Sequence, residues 1–248
     1  VFERRRDDVL RVVHTRAVRG AVGELARWAG GRGIPCIEAG DAELDHFAGT
    51  AHHEGLCVEA RARRWTPANE LAEMLVGSRS PAAARSSPPS PGAGTAVALD
   101  RVRNPYNVGA ILRSSGFFGL DGAILGAPAP HPGLATTAVR VAEGAVEHLR
   151  MARTTDLADT LARMRARGIC VLGADAHAEI DARDFAFRRP TVLVVGHERE
   201  GLAERVRAQC DALLAIRGSG RVDSLNVAVA AGVLLGALVH GLRSAPRA

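Results

Sequence analysis

The sequence contains no lysine; all 32 of its basic residues are arginine. A Walker A phosphate loop, which needs Gly-Lys followed by Ser or Thr, is thereby excluded. No uninterrupted apolar run approaches the roughly 20 residues that cross a bilayer, so no membrane association is expected. The four cysteines, Cys36, Cys57, Cys170 and Cys210, make no C-x-x-C pair, and the nine histidines make neither H-E-x-x-H nor H-x-x-x-H. Neither a disulfide framework nor a metal site is expected, and the thiols read as reduced and buried. The opening residues, Val1-Phe2-Glu3-Arg4-Arg5-Arg6-Asp7-Asp8, lack the apolar centre of a signal peptide. A cytoplasmic protein is expected, and the missing initiator Met leaves room for a segment upstream.

What is present describes an ordinary globular protein: 248 residues, 47% hydrophobic and 24% charged, enough for one large or two modest domains. The net charge of +5 rests wholly on arginine. Arginine binds phosphate bidentately and stacks on bases, which suits RNA, but arginine in place of lysine throughout can equally reflect genomic base composition. Basicity by itself therefore decides nothing.

Residues 77–93 hold four prolines among Gly, Ser and Ala and have nothing to bury, so they read as a linker between two domains, 1–76 and 94–248. In the first, the apolar positions Val9, Leu10, Val12, Val13, Ala17, Val18, Ala21, Val22 and Leu25 recur at three- and four-residue steps, and a helix is expected over Asp7–Trp28. Short strands are expected at Gly33–Glu38 and Gly55–Ala60, with Asp41 capping a helix over Ala42–Phe47. A small α/β domain follows. With 11 Arg against 12 acidic residues it has no overall basic field, so RNA binding there would need a local patch, for which Arg4–Arg6, Arg61, Arg63 and Arg64 are candidates. A solvated surface run is the plainer reading.

Residues 94–248 carry 19 Arg against 15 acidic residues and alternate strand with helix. Strands are expected at Thr95–Leu99, Asp121–Gly126, Glu147–Arg153, Ile169–Gly173, Thr191–Gly196 and Ala212–Ile216. Helices are expected at Asn107–Phe118, Thr136–Ala142, Leu157–Arg167 and Ser224–Leu242. Such alternation implies a parallel sheet covered on both faces, with a ligand site in the loops at the strands' C-terminal ends.

Three segments carry candidate chemistry. Asn104-Pro105-Tyr106-Asn107-Val108-Gly109-Ala110-Ile111-Leu112-Arg113 opens a helix after a strand; Gly109 permits close backbone approach, and Asn107 and Arg113 can border one cleft. Gly196-His197-Glu198-Arg199-Glu200-Gly201 is a polar, glycine-bounded turn after a buried strand. Ile216 to Ala231 begins as a Gly-rich basic loop, Arg217-Gly218-Ser219-Gly220-Arg221, and passes through Ser224-Leu225-Asn226-Val227 into a helix. The loop suggests a phosphate cradle but has the spacing of neither the dinucleotide fingerprint nor a P-loop. Seen singly, each is also what an ordinary capped helix or strand-to-helix turn looks like.

Taken in order, the three resemble the motifs of the SpoU (TrmH-like) RNA methyltransferases of the SPOUT superfamily. His197 replaces the family's common Asn, and Arg217 and Gly218 stand where Pro and Met are usual, which puts the packing of that loop in question. The N-terminal segment resembles the L30e-like substrate-binding domain that precedes many of these enzymes, through Gly33-Ile34-Pro35, Glu43-Leu44-Asp45 and Ala48 to Gly55, with Glu54 where a Gln is frequent.

The resemblance implies an α/β SPOUT domain with a parallel sheet and a C-terminal trefoil knot, preceded by a small L30e-like α/β domain. It implies S-adenosyl-L-methionine as methyl donor, held by Gly196, Glu198, Gly201, Ile216, Ser224 and Leu225, and no metal. It implies transfer to a ribose 2′-hydroxyl of structured RNA, 23S rRNA ahead of tRNA, with Arg113 in the leading role and Asn107, Glu198, Ser224 and Asn226 as organisers. A homodimer through the knotted domain is implied as well. Two alternatives stay open: a catalytically silent RNA-binding protein with the same fold, and, more distantly, a nucleotide-binding oxidoreductase.

Overall fold

The computed structural model describes residues 1, 4–77, 91–127 and 134–244. Most of the expected linker and the Pro-rich turn at 128–133 lie outside these residues. Two compact units divide the chain, Val1–Arg63 and Arg64–Ala248.

The first unit is organised by a strand, β1 (Val9–His14), where a helix was expected. Its Val-rich sequence suits a pleated surface, and both of its edges are paired. β2 (Cys36–Glu38) lies parallel on one side and β3 (Leu56–Ala60) antiparallel on the other. Val12 and Val13 alternate, Val12 against Ala29 of α1 (Gly23–Gly30) and Val13 against Leu44 of α2 (Asp41–Ala48), and a register shift between Val9 and Arg11 brings Val9 onto the face of Val12. The three- and four-residue recurrence that suggested one long helix is thus the sum of a strand and a later helix that begins only at Gly23. Gly40, not Asp41, is the cap residue of α2; Asp41 sits in the first turn, where the helix dipole favours a carboxylate.

The second unit begins earlier than the composition suggested. Helix α3 (Ala68–Gly77) buries Leu71, Ala72 and Leu75 against Ala96, Ala98 and Ile124 of the large sheet, so the division falls at residue 63 and not after residue 76. The composition break at Gly77 marks the end of that helix. The sheet has seven strands: β4 (Thr95–Asp100), β5 (Gly122–Gly126), β6 (Arg150–Thr154), β7 (Cys170–Ala174), β8 (Ile180–Asp181), β9 (Thr191–Val195) and β10 (Ala212–Ala215). Their order is β6-β5-β4-β9-β7-β10-β8, and every pairing is parallel. Two-residue β8 escaped the sequence reading because so short a strand has no periodicity to detect.

Alternation along the central strands feeds two cores. Val97, Leu99, Leu193 and Val195 pack under α4 (Pro105–Phe117), α5 (Thr136–Val141) and α8 (Val227–Ser244). Ala96, Ala98, Val192 and Val194 pack under α3, α6 (Leu157–Ala166) and the single-turn α7 (Glu204–Arg207). Covered on both faces, β4, β5 and β9 are buried at every position, which is why they read as unbroken apolar runs. Among the described residues no helix is long and apolar enough to cross a membrane.

All four cysteines are free; Cys170 is buried and the others partly so. Burial raises the pKa of each thiol, and that of Cys210, behind α7, is pushed up to about 12. A raised pKa leaves little thiolate at pH 8, so native-state alkylation of Cys210 by iodoacetamide should be far slower than alkylation of the urea-unfolded chain. Equal rates by mass spectrometry would contradict the burial.

Candidate active site

Strand order reverses between β4 and β9: the chain leaves β4 toward β5 and β6, then returns to build β7 to β10 on the other side. In an open parallel sheet this is where the connecting loops diverge and leave a crevice at the carboxyl ends of the strands. The loop after β4 opens α4, and the loop after β9 is the turn at residues 196–201.

Asn104 is the N-cap of α4, its side chain accepting from the Tyr106 N–H with Pro105 in the first turn. Capping is therefore done three residues before Asn107, whose amide is left for other partners. Asn107 Nδ2 donates to Glu198 Oε1 at 2.8 Å, and Asn107 Oδ1 accepts from Asn226 Nδ2 at 3.1 Å. Asn226 Oδ1 in turn accepts from the backbone N–H groups of Ala228 and Val229 and caps α8. The long helix accordingly starts at Val227, which leaves Ser224 and Leu225 in the exposed loop before it.

Turn 196–201 is closed by reciprocal backbone hydrogen bonds between His197 and Gly201. His197 Nδ1 accepts from the N–H groups of Arg199 and Glu200, both at 3.3 Å. This ring nitrogen thus accepts as the side-chain carbonyl of an Asn would there, which accounts for the replacement. Arg217 is also accounted for: its guanidinium donates from Nη2 to the carbonyls of Ala178 and Glu179, at 2.9 and 2.7 Å, and ties the start of the 216–226 loop to the segment before β8.

Arg113 stands further along α4, exposed, with Nη1 2.7 Å from Glu143 Oε1. The structure thus joins Asn107, Glu198 and Asn226 in one hydrogen-bonded chain, with Gly196 and Gly201 bounding the turn that carries Glu198. It leaves Ser224, Leu225 and the half-buried Ile216 on the neighbouring loop, outside that chain.

Sequence reasoning missed Asp100, Arg101 and Glu200. Asp100, buried at the end of β4, accepts from the Ala203 N–H at 2.7 Å. Arg101 has a left-handed backbone, φ 59°, and donates to Glu200 Oε2 at 2.5 Å and to the Gly201 carbonyl at 3.2 Å. The Arg101 guanidinium holds the Glu200 carboxyl below its ordinary value of 4.5. This contact therefore survives as pH falls past that value and is lost only once the lowered pKa is reached. A charged residue at the end of an otherwise apolar buried strand was the one signal available for Asp100.

The model of the SpoU rRNA Methylase family matches residues 94–236, more than half of the chain. The chain belongs to that family. Its members are S-adenosylmethionine-dependent RNA methyltransferases, and the seven-stranded parallel sheet is theirs. A TrmH family tRNA/rRNA methyltransferase of Bacillus subtilis is 32% identical over 219 residues, covering 88% of this chain and 82% of the relative. A 23S rRNA (guanosine-2′-O-)-methyltransferase of Ralstonia nicotianae is 36% identical over 203 residues, covering 82% and 76%. Among solved structures, an AdoMet-bound rRNA methyltransferase from Sinorhizobium meliloti superposes with a TM-score of 0.72 at 27% identity, over 94% of this chain and 80% of that one.

The residues of this SpoU-family site fit the methyl donor. A Cβ added at Gly201, Gly218 or Gly220 would meet nothing within 4 Å, so the main chain there faces open space. Ile216 and Leu225 lie on the same loop as Gly218 and Gly220, and Leu225 is 49% exposed. Accessible backbone groups beside apolar side chains are what an adenosyl group requires. Because Arg101 fixes both Glu200 and the Gly201 carbonyl, Arg101→Ala should weaken S-adenosylmethionine binding roughly 5- to 30-fold, about 1–2 kcal/mol. Calorimetric titration of the variant checks this, and unchanged affinity would reject the clamp.

Proposed function

We propose that this chain methylates a ribose 2′-hydroxyl of structured RNA, with 23S rRNA as substrate ahead of tRNA. The observation that carries the reading is the hydrogen-bonded chain from Glu198 through Asn107 to Asn226, which draws three distant segments onto one crevice with Arg113 on the helix that Asn107 opens. Similarity to the Ralstonia 23S rRNA enzyme supports the ribose and the ribosomal substrate.

When bound, S-adenosylmethionine supplies the methyl group as an electrophilic sulfonium. In this reading Gly196, Glu198, Gly201, Ile216, Ser224 and Leu225 hold it, and the protein's task is to align the ribose oxygen along the transfer axis. Arg113 does this by gripping the ribose and its adjacent phosphate. A guanidinium holds its proton and is a poor base, so orientation and electrostatic stabilisation are its role. Asn107, Glu198 and Asn226 keep α4, the 196–201 turn and the loop before α8 in mutual register, with Ser224 presented from that loop.

The Val1–Arg63 unit, a three-stranded sheet with helices on both faces, is read as the L30e-like RNA-binding domain of a cytoplasmic enzyme. The C-terminal knot is supported by β10, which enters between β7 and β8 after both have been laid down. A homodimer through the same region is supported by Phe117 of α4 and by Val229 and Val233 of α8, which are left exposed at 84%, 53% and 46%.

Purified protein incubated with labelled S-adenosylmethionine and total RNA should give 2′-O-methylated product, located by mapping the modified nucleotide. Product on a base would overturn the ribose assignment, and absence of cofactor binding would favour the silent RNA-binding alternative. Arg113→Ala should reduce transfer by at least about 100-fold with cofactor affinity retained; normal turnover would reject its role.

A further inference from the structure

Arg113 is paired with a residue that none of the three motifs contains. Glu143 lies two residues beyond the end of α5 in a left-handed conformation, φ 44°, and is followed by Gly144 at φ 82°. Side-chain-bearing residues rarely adopt this backbone, and where they do the surrounding structure must hold them there. The ion pair is open to solvent, with its side chains 55% and 61% exposed, so it contributes little to stability. Stability therefore does not explain why a carboxylate is placed there.

The placement comes from α4. Gly109, Arg113 and Gly116 recur at steps of four and three residues and share one helix face. A Cβ at Gly109 would lie 2.6 Å from the Ala138 carbonyl oxygen and from Val141 Cβ, and a Cβ at Gly116 would lie 2.7 Å from Ala145 Cβ. The chain from Ala138 to Ala145 thus rests directly on the helix backbone on both sides of Arg113. Residue 143 is thereby held opposite the guanidinium.

We propose that Glu143 is a positioning residue for Arg113. Its carboxylate steadies the guanidinium through Nη1 alone and leaves Nε and Nη2 to the ribose and phosphate of the RNA. This rests on the role given to Arg113 above.

The test uses the full chain, labelled S-adenosylmethionine and total RNA from cells lacking this protein, with thermal unfolding and cofactor calorimetry on each variant. Glu143→Ala should lower kcat on the order of 10-fold with cofactor affinity and unfolding temperature unchanged. Glu143→Gln, which keeps an oxygen acceptor for Nη1, should recover most of that loss. On an Arg113→Ala background, Glu143→Ala should cause no further loss. Wild-type kcat in Glu143→Ala would overturn the proposal, as would a loss confined to cofactor affinity, or a Gln variant as impaired as the Ala variant, which would mark the carboxylate as a proton acceptor. If Arg113→Ala is itself fully active, the reading of Arg113 fails first; if it is inactive while Glu143→Ala is normal, only the present inference fails.

Discussion

The site depends on the fixed polarity of one hydrogen-bond chain. Glu198 Oε1 accepts, so the amide nitrogen of Asn107 turns toward it. The oxygen of Asn107 then faces Asn226, and the oxygen of Asn226 is left for the unpaired N–H groups at the start of α8. Each link dictates the orientation of the next. The chain joins positions 91 and 119 residues apart in sequence, and removing any member would leave a neighbour's donor or acceptor without its partner.

Around this chain the scaffold and the site are built by opposite rules. The sheet is buried on both faces, which fixes where β4 and β9 end and so where the crevice opens. Side chains at the crevice are exposed and polar, and they are held by specific pairs: Arg101 on Glu200 and Gly201, His197 on the N–H groups of its own turn, Arg217 on two carbonyls of the segment before β8.

Those pairs also qualify what an all-arginine composition means. Arg101 and Arg189 each use two guanidinium nitrogens on separate acceptors, a carboxylate and a carbonyl for Arg101 and two carbonyls for Arg189, and Arg165, Arg183 and Arg207 are paired with aspartates. A compact ammonium could not span two such acceptors in the same planar geometry. Much of the positive charge of the second unit is therefore structural, and the excess of arginine over acid is a poor guide to the surface that meets RNA.

The alternation of buried strands and amphipathic helices and the parallel sheet were legible in the sequence, because each is a local pattern of spacing; Asn107, Arg113, Glu198, Ser224 and Asn226 were singled out only by the resemblance of three motifs taken in order. Strand β1 was not legible, since Val9–His14 adopts a strand through partners at Cys36–Glu38 and Leu56–Ala60, and its own spacing is compatible with helix as well. Nor was the membership of α3 in the second unit, which is decided by what Leu71 and Leu75 touch and not by where the composition changes. Sequence alone determined which residue types would be available at the ends of β4, β9 and β10. Tertiary structure alone decided that Asn107 bridges Glu198 and Asn226, that Arg101 takes a left-handed backbone to grip the turn, and that two glycines of α4 bring Glu143 onto Arg113. Contacts between elements far apart in the chain are set by sheet order and helix approach, and neither leaves a periodic trace in the residues that make them.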